Sequence, residues 1–460
     1  MNILLKNKNY IIKIIFYLTW ISLILSINTN PVEIQFFGQD IIKSFNAIRI
    51  IIPLIITFIV IIIFFYLVLK KKILLSEYSS FFYLWFAYFF LQIVGGIVND
   101  GGHVNEINIY YSDWSYQRHI HLPILGICTI FFLLLIHHQK TELKYFLNIL
   151  IGIITVISIT LLSIFLIKKG IKNLNLYYLI DVDFRNTIIN QPTPRITGLS
   201  RMLAITNLVA VSVFLFLSLN KYYKFFLFLG ITIFSIFITA SQSRGTFLCF
   251  FLTTICAIFF LTKNSFKKKI SLTIILILFP IFSQKMIHKI SSDKFLSESN
   301  IEIHEKKIDS SRYFSEKDSG RIILWKKVLN RYEYKNLFGY GPQADRRFLL
   351  ENVFSADGAF GNNVSNGFIY AFICGGYLAL LCYLIINYKI ANNIIKNISI
   401  IKNFNNTKNI FYYKLCSIYL LFFFIRQIFE NSFSLFSIDF LIVIICIFII
   451  DKNNHNFKKT

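Results

Sequence analysis

Apolar runs alternate with short polar connectors along almost the whole chain. A run of about 17–25 apolar residues has the length that crosses a bilayer as a helix. About twelve runs meet that criterion, at 11–27, 48–69, 79–98, 121–137, 145–167, 202–219, 223–240, 246–262, 269–287, 366–388, 411–427 and 434–450. The pattern therefore predicts an all-α integral membrane protein with about twelve transmembrane helices. One long polar loop precedes the tenth. Four regions follow: 1–190 with the first five helices and an outer loop, 191–287 with helices six to nine, the loop 288–365, and 366–460 with the last three helices and a tail. Loops this long usually carry function.

The connectors predict an orientation. Lys70-Lys71-Lys72, Lys140 with Lys144, Lys221 with Lys224, and Lys267-Lys268-Lys269 fall on one side if every run spans, joined by 389–410 and the tail. By the positive-inside rule that side is cytoplasmic and holds both termini. Most acids fall on the other side; only Glu77, Glu142 and Asp451 are inner, and Asp439 lies within a run. Every arginine, from Arg49 to Arg426, falls at the outer side or an outer helix end, whereas the inner connectors use lysine alone. Charge alone would be served by either residue. Arginine adds a planar fork that grips phosphate or carboxylate bidentately, so the outer face is expected to hold a polyanion site.

Composition agrees. The chain is 56% hydrophobic and only 15% charged, with a mean hydropathy of +0.62, which excludes an ordinary soluble domain. The first run lacks a small-residue cleavage site and reads as a retained span. A net charge of +24 raises the possibility of nucleic acid, but the lysines cluster in membrane connectors, so no nucleic-acid partner is expected. All seven cysteines lie inside apolar runs without a CxxC pair and read as packing residues. No metal site and no cofactor is expected, the histidines being too isolated.

Four stretches carry candidate chemistry. Pro194-Arg195-Ile196-Thr197-Gly198-Leu199-Ser200-Arg201 precedes a span and places two arginines at an outer helix start, where free N–H groups favour anions. Ser241-Gln242-Ser243-Arg244-Gly245 is a tight outer turn that holds Arg244 at the membrane surface. In the long loop, Asp318 or Ser319 is positioned to cap a helix from about Gly320 to Arg331, with Ile322, Trp325, Val328 and Leu329 as its buried face and Arg321 in its first turn. Gly339-Tyr340-Gly341 then allows a tight turn. Val364-Ser365-Asn366-Gly367, followed by Gly375-Gly376, opens the next run. Asp439 is expected to face the bundle and pair with an outer cation such as Arg426, because a carboxylate inside a span is expensive.

Together these pieces resemble the family of O-antigen polymerases and O-antigen ligases, over roughly 190–390. That pattern has an Arg-x-x-Gly segment, Ser-Arg at a tight outer turn, Ser-Gly-Arg-x-x-x-Trp, a Gly-x-Gly turn and a His-Asn pair. This chain supplies Arg195 with Gly198, Ser243-Arg244, Ser319-Gly320-Arg321 with Trp325, and Gly339-Tyr340-Gly341. The resemblance implies a membrane glycosyltransferase in the bacterial inner membrane. It would use an undecaprenyl-pyrophosphate-linked oligosaccharide without a metal, with membrane lipid and a chain-length regulator protein as partners. It also implies roles. Arg244 and Arg321 would be catalytic, and Arg195, Arg201, Arg244, Arg321, Trp325, Tyr340, Ser365 and Asn366 would bind the pyrophosphate or glycan; the catalytic base stays open among the loop carboxylates Asp318, Asp345 and Asp357, with Asp318 counted in the catalytic set. Ser365 stands where a ligase carries its histidine and is no general base at neutral pH without a partner. The expectation is therefore a polymerase; a ligase is the near alternative. A lipid-linked oligosaccharide flippase, the alternative of another class, would show charges within the spans and related halves.

Overall fold

The computed structural model describes residues 2–26, 39–70, 80–99, 119–137, 143–169, 196–240, 243–283, 321–332, 337–349, 364–403 and 408–457. Among them the chain is helical, without strands. Within the described residues, each apolar run predicted from the sequence lies mostly in helix, the run 269–287 being described only to 283. These are α1 (Asn2–Ser26), α2 (Gln39–Leu69), α3 (Ser80–Val98), α4 (His121–His137), α5 (Leu143–Lys169), α6 (Ile196–Phe216), α7 (Lys221–Ala240), α8 (Arg244–Cys256) and α9 (Phe266–Thr273). Two helices of the long polar segment follow, α10 (Arg321–Arg331) and α11 (Ala344–Phe348), and then α12 (Gly367–Asn403), α13 (Lys408–Arg426) and α14 (Ile438–Phe457). Among the described residues, six helices, lying within α2, α3, α5, α6, α7 and α12, are long and apolar enough to cross a membrane. The protein is an all-α, multi-pass membrane protein.

Two boundaries and one buried face differ from those read off the sequence. α12 continues to Asn403, so most of the expected connector 389–410 is helix. Its polar residues are tolerated because they bond inside the bundle: Asn397 Nδ2 donates to Ser417 Oγ at 2.9 Å. α14 starts at Ile438 rather than 434, which puts Asp439 in its first turn. In α10 the buried stripe is Leu324, Val328 and Tyr332, at i, i+4 and i+8, and Ile322 is 46% exposed rather than buried. Trp325 and Leu329 are half-buried beside that stripe.

The centre of the bundle is α14. Every residue from Phe440 to Ile450 is at most 2% exposed, as expected for a helix apolar all round that is enclosed by protein. It packs against α13, α5 and α4. Phe440 meets the Trp85 ring of α3, their centroids 5.2 Å apart. α3 in turn packs along α12.

The polar segment folds against the bundle rather than by itself. Leu324, Val328, Tyr332, Tyr340, Ala344, Leu349 and Val364 form a second apolar core with Tyr370, Phe372, Ile373 and Cys374 from the first turns of α12. There α12 is broken: Gly376 has φ 73°, ψ −166°. The break frees carbonyls in the preceding turn, and the loop takes them up. Tyr340 N–H donates to Ile373 O at 2.8 Å and Gly341 N–H to Cys374 O at 2.9 Å. Gly339 and Gly341 have φ of +47° and +84°, as the Gly-x-Gly spacing anticipates. The same insertion presses on α3, where a Cβ on Gly95 would stand 2.4 Å from Phe338 O.

Candidate functional site

The start of α8, the start of α10 and the segment between α13 and α14 converge at one end of the bundle. α7 ends at Ala240 and α8 begins at Arg244, with Gly245 in the first turn of α8. A Cβ there would stand 3.2 Å from Phe429 Cβ and 3.9 Å from Arg321 Nη1, so glycine lets this turn sit directly against the segment after α13. α8 begins without a side-chain cap: Ser243 Oγ goes to Thr246 Oγ1 at 3.1 Å and accepts no backbone N–H. Its first N–H groups have no acceptor within the helix, which makes this end attractive to an anion.

Arg321, in the first turn of α10, reaches this point. Its Nη2 donates to Glu430 Oε1 at 3.3 Å. A cation beside a helix N-terminus is unfavourable unless an anion shares the site. Glu430 supplies part of that charge, and an incoming anion would supply more.

Behind this pair lies a buried cluster. Arg426, in the last turn of α13, donates through Nη1 to Asp439 Oδ2 in the first turn of α14, the pairing expected from the sequence. Each charge suits its own helix dipole as well as its partner. Asp439 is fully buried and Arg426 is 5% exposed. Ser432 Oγ donates to Asp439 Oδ2 at 3.3 Å, and Arg201 Nη1 of α6 stands 3.9 Å from Asp439 Oδ1. Arg426 Nε has no hydrogen-bond partner among the described residues. The end thus gathers the guanidinium groups of Arg201, Arg321 and Arg426 against the carboxylates of Glu430 and Asp439. Positive charge is in excess, with a buried spare donor.

The remaining sequence candidates are placed as follows. Trp325 Nε1–H donates to Val364 O at 2.7 Å, tying α10 to the entry of α12. Asn366 caps α12: its Oδ1 accepts from the N–H groups of Phe368 and Ile369 at 2.9 and 3.0 Å, and its Nδ2 donates to Ile428 O at 3.1 Å. Its amide is thus occupied in holding α12 to the segment after α13. Ser365, partly exposed beside it, has φ 46°. The other left-handed non-glycine residues of the described backbone, Gln343 and Ser432, belong to the same end. Such strain concentrates at functional sites. The Tyr340 ring is taken up in packing against Tyr332 and Phe348, at 5.4 and 5.1 Å between centroids. Arg195 and Asp318 lie outside the described residues, as does the Arg244 side chain.

Two groups were not singled out as site residues from the sequence. Glu430 and Asn431 sit in a connector that hydropathy marks only as a turn, and their signal was polar residues crowded between two apolar runs. Asn431 Oδ1 accepts from Asn366 N–H at 3.0 Å, and its Nδ2 donates to Asp345 at 3.4 Å. Asp345 is fully buried and accepts Val364 N–H at 3.0 Å. Burial raises its carboxyl above the usual carboxylate range, against the opposing pull of Arg346. It acts here as a fastener between α11, Val364 and Asn431.

A bundle of apolar helices with an arginine-rich end beside the uncapped start of α8 defines a multi-pass membrane protein. Residues 229–384, from α7 to the middle of α12, match the family model described as O-antigen ligase. Over that stretch, less than half of the chain, the protein is similar to the O-antigen ligase and polymerase family. No curated protein and no solved structure matches the chain.

Proposed function

We propose that the protein is a polymerase-type membrane glycosyltransferase with about twelve spans. It transfers a growing glycan from undecaprenyl pyrophosphate to a repeat unit on the same carrier, at the periplasmic face of the bacterial inner membrane, with both termini cytoplasmic. The observation that carries this reading is the convergence of Arg201, Arg321 and Arg426 at the open N-terminus of α8. The leaving group of such a transfer is a lipid pyrophosphate. Preorganised guanidinium and N–H donors stabilise its developing charge, so no metal is required. Arg244 and Arg195, beside this end in sequence, join the same set. The acceptor is deprotonated by a loop carboxylate; Asp345 is taken up by Val364 and Asn431, which leaves Asp318 and Asp357 as the candidates.

The ligase reading has the description of the matched family in its favour. Ser365 in place of the expected histidine speaks for the polymerase. The two part in the glycolipids of a deletion strain. Loss of a polymerase leaves one repeat unit attached to the lipid A core, whereas loss of a ligase leaves the core bare. A bare core overturns the polymerase.

Arg244→Lys is expected to give stable protein with much shorter or absent polymer. Lysine keeps the charge but loses the second hydrogen bond and the fork geometry. One charge-assisted bond is worth about 1.5–3 kcal/mol, or about ten- to a hundredfold in rate when felt in the transition state. Arg49→Lys, outside every motif, is expected to behave as wild type. Normal chain length from Arg244→Lys at normal expression reduces Arg244 to an interfacial anchor.

The orientation has its own check. An impermeant thiol reagent added from outside should modify a cysteine introduced at Ser310 and spare one at Asn405, both positions outside the described residues. The reverse pattern places the loop 288–365 in the cytoplasm.

A further inference from the structure

The arginine end contains two ion pairs of different character. Arg426 with Asp439 is withdrawn from solvent and joins two helix ends. Arg321 with Glu430 is not. Their side chains are 27% and 29% exposed, and they meet through one contact, Nη2 to Oε1 at 3.3 Å. A carboxylate that fills an arginine fork makes two parallel bonds at shorter range. Here Nη1 lies instead on the side of α8, 3.9 Å from where a Cβ on Gly245 would stand. The fork is thus shared between Glu430 and the uncapped start of α8. Arg321, Arg426 and Glu430 all lie within electrostatic reach of Cys249, so both pairs flank the first turns of that helix.

Glu430 is carried on a fixed backbone. Its N–H donates to Arg426 O at 2.9 Å. The next residue, Asn431, accepts Asn366 N–H through its side chain at 3.0 Å and Ser434 N–H through its carbonyl at 2.9 Å. The carboxylate therefore leaves Arg321 by side-chain rotation alone, without movement of the connector. Leaving costs little, because a part-exposed ion pair contributes little. A diphosphate offers Arg321 more charge, and oxygens spaced to match the fork. The reaction then makes release harder. Glycosyl transfer breaks the bond between the anomeric carbon and a phosphate oxygen, and the bonding pair stays on that oxygen. The sugar passes to the acceptor oxygen, and the acceptor proton to the base. The departing diphosphate carries more negative charge than the donor did, so the same arginines grip it harder. A carboxylate tethered beside Arg321 competes with it as an intramolecular ligand.

We propose that Glu430 is a displaceable counter-ion: it yields Arg321 to the lipid diphosphate and retakes it as the product departs. This rests on the reading of the arginine end as a diphosphate site, and holds for a polymerase and a ligase alike. Calorimetry with inorganic pyrophosphate on the full-length protein in detergent tests it. Arg321→Gln is expected to weaken binding. Glu430→Gln is expected to bind pyrophosphate about fivefold tighter than wild type, the upper end of what a part-exposed pair is worth. In an Arg321→Gln background the same change is expected to gain less than about twofold, because no fork is freed. With lipid-linked donor, Glu430→Gln is expected to lower KM and kcat together, since retained product slows turnover. Should Glu430→Gln fail to accumulate, Glu430→Asp draws the charge back by one methylene and is expected to bind about twofold tighter than wild type. Binding no tighter than wild type overturns the exchange alone, as does an undiminished gain without Arg321 or a kcat that does not fall. If pyrophosphate binds no form of the protein, or binds Arg321→Gln as well as wild type, the arginine end is no diphosphate site, and that reading falls with this one.

Discussion

Gly376→Ala is expected to abolish polymer and to lower sharply the amount of folded protein in the membrane. Gly376 stands at φ +73°, ψ −166°, a region essentially reserved for glycine that costs an L-residue about 1–3 kcal/mol. A methyl group there would also lie 2.0 Å from Leu337 O and 2.6 Å from Gly339 N. Both are backbone atoms, so no rotamer change relieves the overlap, and overpacking of this kind adds about 1–3 kcal/mol. The strain falls on the junction where the loop segment Leu337–Gly341 enters the broken α12. What gives way is therefore the docking of α10 and α11, and with it the position of Arg321 beside α8. Gly152→Ala is the matched control. A Cβ on Gly152 meets nothing within 4 Å, and in a helix interior alanine is favoured over glycine by about 0.5–1 kcal/mol. It should leave abundance and polymer unchanged or slightly improved. Membrane abundance, melting in detergent and limited proteolysis of the loop read the difference. Wild-type melting and polymer from Gly376→Ala would mean that the loop does not occupy the helix break.

The second large effect is expected at Asp439. Its pair with Arg426 is almost wholly withdrawn from solvent. Removing one member of such a pair costs about 3–5 kcal/mol, because it leaves the other charge buried and uncompensated. Asp439→Asn leaves the Arg426 guanidinium against a neutral amide with Arg201 still nearby, so protein yield and polymer length should both fall. Arg426→Gln should do the same by stranding the carboxylate. Combining the two removes both charges, and the double variant should be more stable than the sum of the singles predicts. That coupling is what a double-mutant cycle measures. Additive losses in melting temperature would show that the two side chains are not an energetic unit. Should Asp439→Asn leave both expression and polymer length unchanged, Asp439 has neither a structural nor a functional role of this kind.

Much of the site was legible because its parts are local. A glycine at the start of α8, an arginine four residues before Trp325, and two glycines flanking Tyr340 are each visible within a few residues. The expected pairing of Asp439 with Arg426 also came from the sequence, since a carboxylate in an apolar run needs a cation and Arg426 closes the preceding one. Glu430 escaped because nothing near it in sequence demands a partner. Its arginine lies 109 positions away, and only the packing of α10 against the segment after α13 brings them together.

The helices themselves were determined by sequence alone, since an apolar run of bilayer length satisfies its own backbone hydrogen bonds only as a helix. Their arrangement was not. The run Ile51–Leu69 and the run Phe440–Ile450 are both composed of large aliphatic and aromatic residues, yet Phe58, Ile59 and Ile62 are 66%, 51% and 54% exposed while the C-terminal run is enclosed. Lipid tails are as apolar as leucine, so hydropathy carries no instruction about which side of a span meets lipid and which meets protein. That choice rests on shape and on the few polar groups that must find each other across the bundle. The same holds for Gly339-Tyr340-Gly341. Its glycines announced a turn, but what the turn is for depended on Gly376 and Gly95. They lie 37 residues ahead and 244 behind, and only the folded chain makes them the walls of one slot.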